Sequence, residues 1–123
     1  MPAAGVIVVT RFIVPDRWLG TDDARIAAPE DALADFVANA TRLQAALATR
    51  PGHLRTSFAQ ALDDTTRWVL VSEWVGVGPW RRALSNYDVR IEVMPMMALA
   101  EDEPSVYETV APETIDAGSG PDA

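Results

Sequence analysis

The chain of 123 residues carries 18 acidic and 10 basic side chains, for a formal net charge of −8. That length suits one domain of about 100–200 residues, and the acidic balance argues against nucleic acid and anionic membrane surfaces as partners. Without cysteine there is no disulfide, thiolate metal site or cysteine nucleophile, and the single histidine, His53, speaks against a histidine-built metal centre.

Taken in chain order, the opening MPAAGVIVVTRF lacks the basic stretch of a signal peptide. No apolar run anywhere approaches the ~20 residues that span a bilayer, so a soluble, cytoplasmic protein is expected. GVIVVTRFIVP is a β-branched run ending at Pro15 and reads as a strand that is apolar on both parities. A polar connection follows over residues 16–28, with turn signals at Gly20 and Asp22–Asp23. PEDALADFVANATRLQAALATRPG predicts a helix. Pro29, Glu30 and Asp31 suit its first turn, and Leu33, Phe36, Val37, Ala40, Leu43 and Leu47 form one apolar stripe. Pro51–Gly52 stops it. HLRTSFAQAL and RWVLVSEWV, joined by DDTT, read as a hairpin. In its second strand Trp68, Leu70, Ser72 and Trp74 share one face, with Val69, Val71 and Glu73 on the other. GPWRRALSNYDVRIEVMPMMALA is helical in character and broken or kinked around Pro95, and PSVYETVAP is a short last strand.

The order β-α-β-β-α-β is the split, ferredoxin-like α+β plan, with a four-stranded antiparallel sheet carrying both helices on one face. The strands are apolar on the other face too, which predicts a homodimer packed sheet against sheet. One domain over residues 1–111 is expected, followed at 112–123 by a disordered tail holding Glu113, Asp116 and Asp122.

Five pieces, in this order and spacing, resemble the antibiotic biosynthesis monooxygenase family of the dimeric α+β barrel superfamily. They are the strand VIVVTRFIVP, the helix closed by RPGHL, the strand VLVSEW, the helix beginning GPWRRAL, and SVYETV. A third strand ending in Glu-Trp, followed at once by a short helix, carries most of the likeness. The resemblance implies a homodimer with a ligand pocket in each subunit between sheet and helices. It also implies a choice of chemistries. Some members oxidise anthrone-type aromatic polyketides to quinones with molecular oxygen and neither metal nor flavin. Others degrade haem or small signalling molecules, and a fold alone does not select among these. Haem-degrading members carry an iron-ligating histidine on the second helix; this sequence has none there, so haem degradation is not expected.

The expected activity is therefore a cofactor-independent monooxygenase that oxidises an aromatic polyketide-like anthrone or phenol to a quinone with oxygen. The alternative is a non-catalytic small-ligand binding or pathway accessory protein, or a cyclase or isomerase, on the same fold. Cofactor-free oxygenation needs a substrate anion held flat and dry beside hydrogen-bond donors, with room for oxygen. On that basis Asn86, Tyr87 and Trp74 are the candidate catalytic residues, and Thr10, Phe12, Phe58, Trp68 and Trp80 the candidate substrate-binding ones, with no metal ligand. Each also has a plainer role. The tryptophans fill a core, Thr10 bonds within the sheet, and SNYD forms a helix–helix corner. Thr10 stands where several members place asparagine. Arg11, on the other parity, belongs to the dimer interface or its rim. His53 titrates near neutrality and is a possible general base, but it opens a strand at a surface corner. Arg81 and Arg82 are spaced for solvent, and Met94, Met96 and Met97 read as adaptable core packing.

Overall fold

The structure is a computed structural model that describes residues 4–19, 31–103 and 105–110. Strand β1 (Val6–Ile13) leads through a single turn of 3-10 helix (Asp16–Leu19) towards helix α1 (Ala32–Ala48). Strands β2 (His53–Gln60) and β3 (Arg67–Trp74) form the hairpin, and helices α2 (Val77–Leu84) and α3 (Tyr87–Met97) precede strand β4 (Val106–Glu108). The strands make one four-stranded sheet in the order β2-β3-β1-β4, every pairing antiparallel. This is the ferredoxin-like arrangement expected from the sequence. The turn signals at Gly20 and Asp22–Asp23, the Pro29–Glu30 helix start and the tail from 112 lie outside the described residues.

Register decides which side chains meet the helices. Val6, Val8, Thr10 and Phe12 of β1 stand opposite Trp74, Ser72, Leu70 and Trp68 of β3. Because side chains alternate along a strand, these eight share one face. Among them Val6, Val8, Phe12, Leu70, Ser72 and Trp74 are buried, and the same face meets the α1 stripe of Phe36, Ala40, Leu43 and Leu47. The opposite face, with Ile7, Val9, Arg11, Val69, Val71 and Glu73, is only half-buried in the single subunit.

Two local features depart from expectation. The second helical segment is two helices that meet at the SNYD corner read from the sequence, and the break expected around Pro95 is absent from α3. The break falls at Ser85–Asn86, where Asn86 adopts an extended backbone and its side-chain oxygen accepts the Val89 N–H at 3.2 Å. Pro95 instead lies inside the last turn of α3, exposed and two residues from the end, where the lost backbone donor disturbs little. The second departure is in β2. His53 pairs with Trp74 and Arg55 with Glu73, so Leu54 is an extra, bulged residue and is 59% exposed. A bulge re-aims the side chains on either side of it. This one brings His53 onto the core face that Thr56, Phe58 and Gln60 share.

Helices α1 and α3 are tied by a polar link. The buried Asn39 amide donates to Glu92 O at 2.9 Å and to Glu92 Oε1 at 3.0 Å, and Arg42 Nε donates to the same carboxylate at 3.0 Å. With its donors used, the buried amide escapes the about 1–3 kcal/mol that an unpaired one costs.

Candidate functional site

Two aromatic clusters occupy the helix side of the sheet. The larger is centred on Phe36 of α1. Its ring meets Phe12 of β1 at 5.6 Å, Phe58 of β2 at 5.5 Å and Trp68 of β3 at 5.6 Å, all edge to face. Trp18, from the 3-10 turn, approaches the same ring at 6.4 Å, and Phe58 stacks on Trp68 at 5.2 Å. Edge-to-face contact sets the positive rim of one ring against the electron-rich face of the next, and is worth about 0.5–1.5 kcal/mol a pair beyond burial. Five rings from four elements and the turn after β1 thus converge where α1 crosses the sheet. Beside them lies a cleft of about 290 Å³ lined by Trp18, Phe36, Asn39, Met96 and Leu99 among others. That volume is at the lower end of small-molecule sites, roughly 300–1,000 Å³.

The second cluster is at the other end of β3. Trp74 is fully buried, 5.6 Å from the Trp80 ring of α2 and 5.1 Å from His53. Its indole N–H donates to Ser72 Oγ at 2.9 Å. His53 Nε2 is 2.6 Å from Thr56 Oγ1, and burial lowers the ring's pKa below its ordinary value of 6.5. The histidine expected at a bare surface corner is therefore half-buried on Trp74, because the bulge at Leu54 turns it inward.

The sequence-derived candidates do not share one place. Phe12, Phe58 and Trp68 come together around Phe36. Trp74 and Trp80 meet each other, six or more residues from Trp68 along the chain. At about 3.3 Å per strand residue, Trp68 and Trp74 are roughly 20 Å apart, too far for one small ring system to touch both. Thr10 is half-buried on the shared face opposite Leu70, between the two. Asn86 caps α3, and Tyr87 is 74% exposed with no ring contact to either cluster among the described residues. Arg81, Arg82, Met94 and Met97 are exposed, while Met96 is buried against the core.

Two aromatic residues of the larger cluster escaped sequence reading. Phe36 was legible only as one member of a helix stripe. Trp18 sits in a segment that reads as polar connection. Its one signal was its size beside Leu19, just after the strand-ending Pro15. Among the described residues, Trp18 Nε1 and Trp68 Nε1 are the buried side-chain donors without an acceptor. No three His, Asp or Glu side chains gather as metal ligands among those residues.

On the far face of the sheet a second cleft, about 380 Å³, is lined by Val9, Arg11, Val69, Trp68 and the hairpin end. Arg67 bridges Glu101 at 2.9 Å and Asp64 at 3.2 Å beside it.

The family model for antibiotic biosynthesis monooxygenases matches residues 22–88, more than half of the chain. The chain belongs to the antibiotic biosynthesis monooxygenase family. Its match takes in α1, the hairpin and α2, the elements that carry Phe36, Phe58, Trp68, Trp74 and Trp80. Among solved structures the family member is similar to SnoaB, a cofactor-independent oxygenase from Streptomyces nogalater. That likeness has a TM-score of 0.63 and 25% identity, over 89% of this chain and 94% of that one. A conserved protein from Methanosarcina mazei shares the fold at a TM-score of 0.65, with 13% identity over 89% of this chain and 96% of that one. A "42.8 kDa protein in whiE locus" of Streptomyces coelicolor is 28% identical over 80 residues, 65% of this chain. This monooxygenase-family chain spans only 20% of that relative's length.

Proposed function

We propose that this protein is a cofactor-independent oxygenase that converts an electron-rich anthrone or phenol to a quinone. The reading rests chiefly on the convergence of Phe12, Trp18, Phe58 and Trp68 on Phe36 between sheet and α1. Flat aromatic walls hold a flat substrate by area and keep water from its reacting carbon. Once deprotonated, such a substrate passes electrons to oxygen itself. In an anthrone the methylene carbon loses two hydrogens and gains one oxygen atom as a carbonyl, and the second oxygen atom leaves as water. The protein's task is then to favour the anion and to exclude solvent rather than to supply a redox group. Similarity to SnoaB, a cofactor-independent oxygenase, supports the same class of reaction.

Substrate contact is assigned to Trp18 and Phe36, which line the cleft of about 290 Å³, with Phe12, Phe58 and Trp68, expected as contacts, packed against Phe36 and Thr10 at the edge. Trp74, Trp80, Asn86 and Tyr87, expected to share that work, hold places suited to other tasks. Trp74 and Trp80 anchor α2 on the sheet, and Asn86 starts α3. A second copy of the chain is assigned to the half-buried face bearing Val9, Val69 and Val71, making the protein a homodimer.

The test is conversion of an anthrone to its quinone, followed by absorbance against buffer and heat-treated protein. Phe36→Ala removes the ring around which the walls gather and lowers the rate at least tenfold, whereas Tyr87→Phe leaves it unchanged. Equal rates in wild type and Phe36→Ala would move the site away from this cluster. Saturable binding without conversion would favour a ligand carrier on the same fold.

A further inference from the structure

The cleft of about 290 Å³ that Trp18 and Phe36 border is walled mainly by apolar side chains. Asp35 and Asn39 line it too, one helical turn apart on α1. Their chemistry differs. The Asn39 amide nitrogen donates to Glu92 O and Glu92 Oε1, so its oxygen is what remains, and an amide oxygen takes up no proton near neutrality. Asp35 is exposed and directly precedes the buried Phe36, and no ion pair among the described residues engages its carboxylate. It is the one ionisable side chain among the described residues that line the cleft. His53, the base suggested by the sequence, rests on Trp74 in the other cluster.

We infer that Asp35 is the catalytic base, the group that takes the first proton from the substrate. The inference rests on the cleft proposed above as the substrate site and supplies the step that reading leaves open, since cofactor-free oxygenation starts once the substrate is an anion. The methylene C–H bond breaks, its proton passes to an Asp35 carboxylate oxygen, and the electron pair stays on the substrate for oxygen. A carboxylate that kept its charge would oppose an anion beside it. As proton acceptor Asp35 becomes neutral while the substrate becomes charged, so the cleft carries one negative charge before and after the transfer. Once oxygen has taken the electrons, the exposed Asp35 passes the proton to solvent, from which the departing oxygen atom is protonated to water.

The test separates proton abstraction from oxidation. Anthrone is given to the protein in heavy water under nitrogen, and exchange of its methylene hydrogens is followed by mass spectrometry. Wild type exchanges them faster than buffer does. Asp35→Asn lowers that enzymatic rate about a hundredfold and leaves anthrone affinity, read by tryptophan fluorescence, within about twofold. Asp35→Ala is equally slow and is restored by added formate, a rescue that a merely structural role would not allow. Exchange in Asp35→Asn at the wild-type rate, or Asp35→Ala that formate leaves slow, would overturn the assignment. Wild type no faster than buffer would overturn it as well, and if anthrone does not bind either, the cleft loses its substrate too. Oxidation in air by wild type and Asp35→Asn alike would overturn the base and leave the oxygenase reading intact. Exchange that depends on Asp35, with no quinone formed by wild type in air, would uphold the base and overturn the oxygenase reading alone.

Discussion

Trp68 and Trp74 occupy the same face of one strand, yet their surroundings differ in kind. Trp74 is wedged between His53 and Trp80 with its N–H bonded to Ser72, a closed arrangement that suits structural work. Trp68 belongs to an assembly of rings, and its buried N–H has no acceptor among the described residues. His53 illustrates how a neighbouring residue sets chemistry. Burial on Trp74 disfavours its cationic form and holds its pKa below the ordinary 6.5. In the unfolded chain the ring takes up a proton as pH falls through about 6.5, while the folded ring still resists protonation. The resulting stability is complete above that pH and is lost as pH drops from there towards the folded value. Denaturant midpoints therefore fall between about pH 7.5 and 5.5, and His53→Gln flattens the drop. A midpoint in wild type independent of pH over that range would contradict the burial argument. At residue level the sequence showed which aromatics share a face and that roughly 20 Å of strand separates Trp68 from Trp74, but not which rings of other elements gather on each. It concealed His53 because a bulge at Leu54 has no local signature and arises only when β2 takes its register on β3.

Among the elements, α1 was the most legible, since a stripe at helical spacing needs no tertiary information to be recognised. Phe36, Ala40, Leu43 and Leu47 from that stripe are all buried. The break between α2 and α3 was less so. Proline is the stronger sequence signal, but Pro95 falls where α3 is ending anyway, and the Asn86 cap makes the corner. The turn bearing Trp18 was illegible because its one aromatic is drawn in by Phe36, a residue distant in sequence. The stop of α1 at Pro51–Gly52 was expected, and the structure gives it a second purpose. Gly52 has φ of +88°, which side chains other than glycine's rarely adopt, and a Cβ there would fall 2.4 Å from Pro79 Cβ. The stop thus lets the start of α2 press against the α1–β2 corner, while the Gly52 carbonyl accepts the Val75 N–H at 2.9 Å. Gly52→Ala is expected to cost about 1–3 kcal/mol in chemical denaturation, with a larger loss if Pro79 cannot retreat. An unchanged midpoint would mean that the corner yields freely.

For the molecule as a whole, the sheet presents two unlike faces. One is closed by α1 and carries both aromatic clusters. The other bears Ile7, Val9, Val69 and Val71 at partial exposure in the single subunit, and β4 lies exposed along the edge beside β1. Apolar alternation on both parities of β1 and β3 was visible in the sequence, and it is the physical ground for assigning a second copy to that face. Val9 and Val71 are register partners in the middle of it. Sedimentation of the wild-type protein is expected to give twice the 13.3 kDa chain mass, and Val71→Asp the single chain. A wild-type monomer at high concentration would leave the open face without that role.

Oxygen consumption is the most direct test of the central claim, that the ring cluster around Phe36 turns an anthrone over with oxygen as sole oxidant. An oxygen electrode would record purified protein given an anthrone, with a chelator present and no flavin added, while quinone is measured in parallel. The account predicts saturable uptake, one oxygen molecule for each quinone formed, untouched by the chelator and suppressed in Phe36→Ala. Uptake no faster than the spontaneous reaction, or uptake that the chelator abolishes, would contradict it.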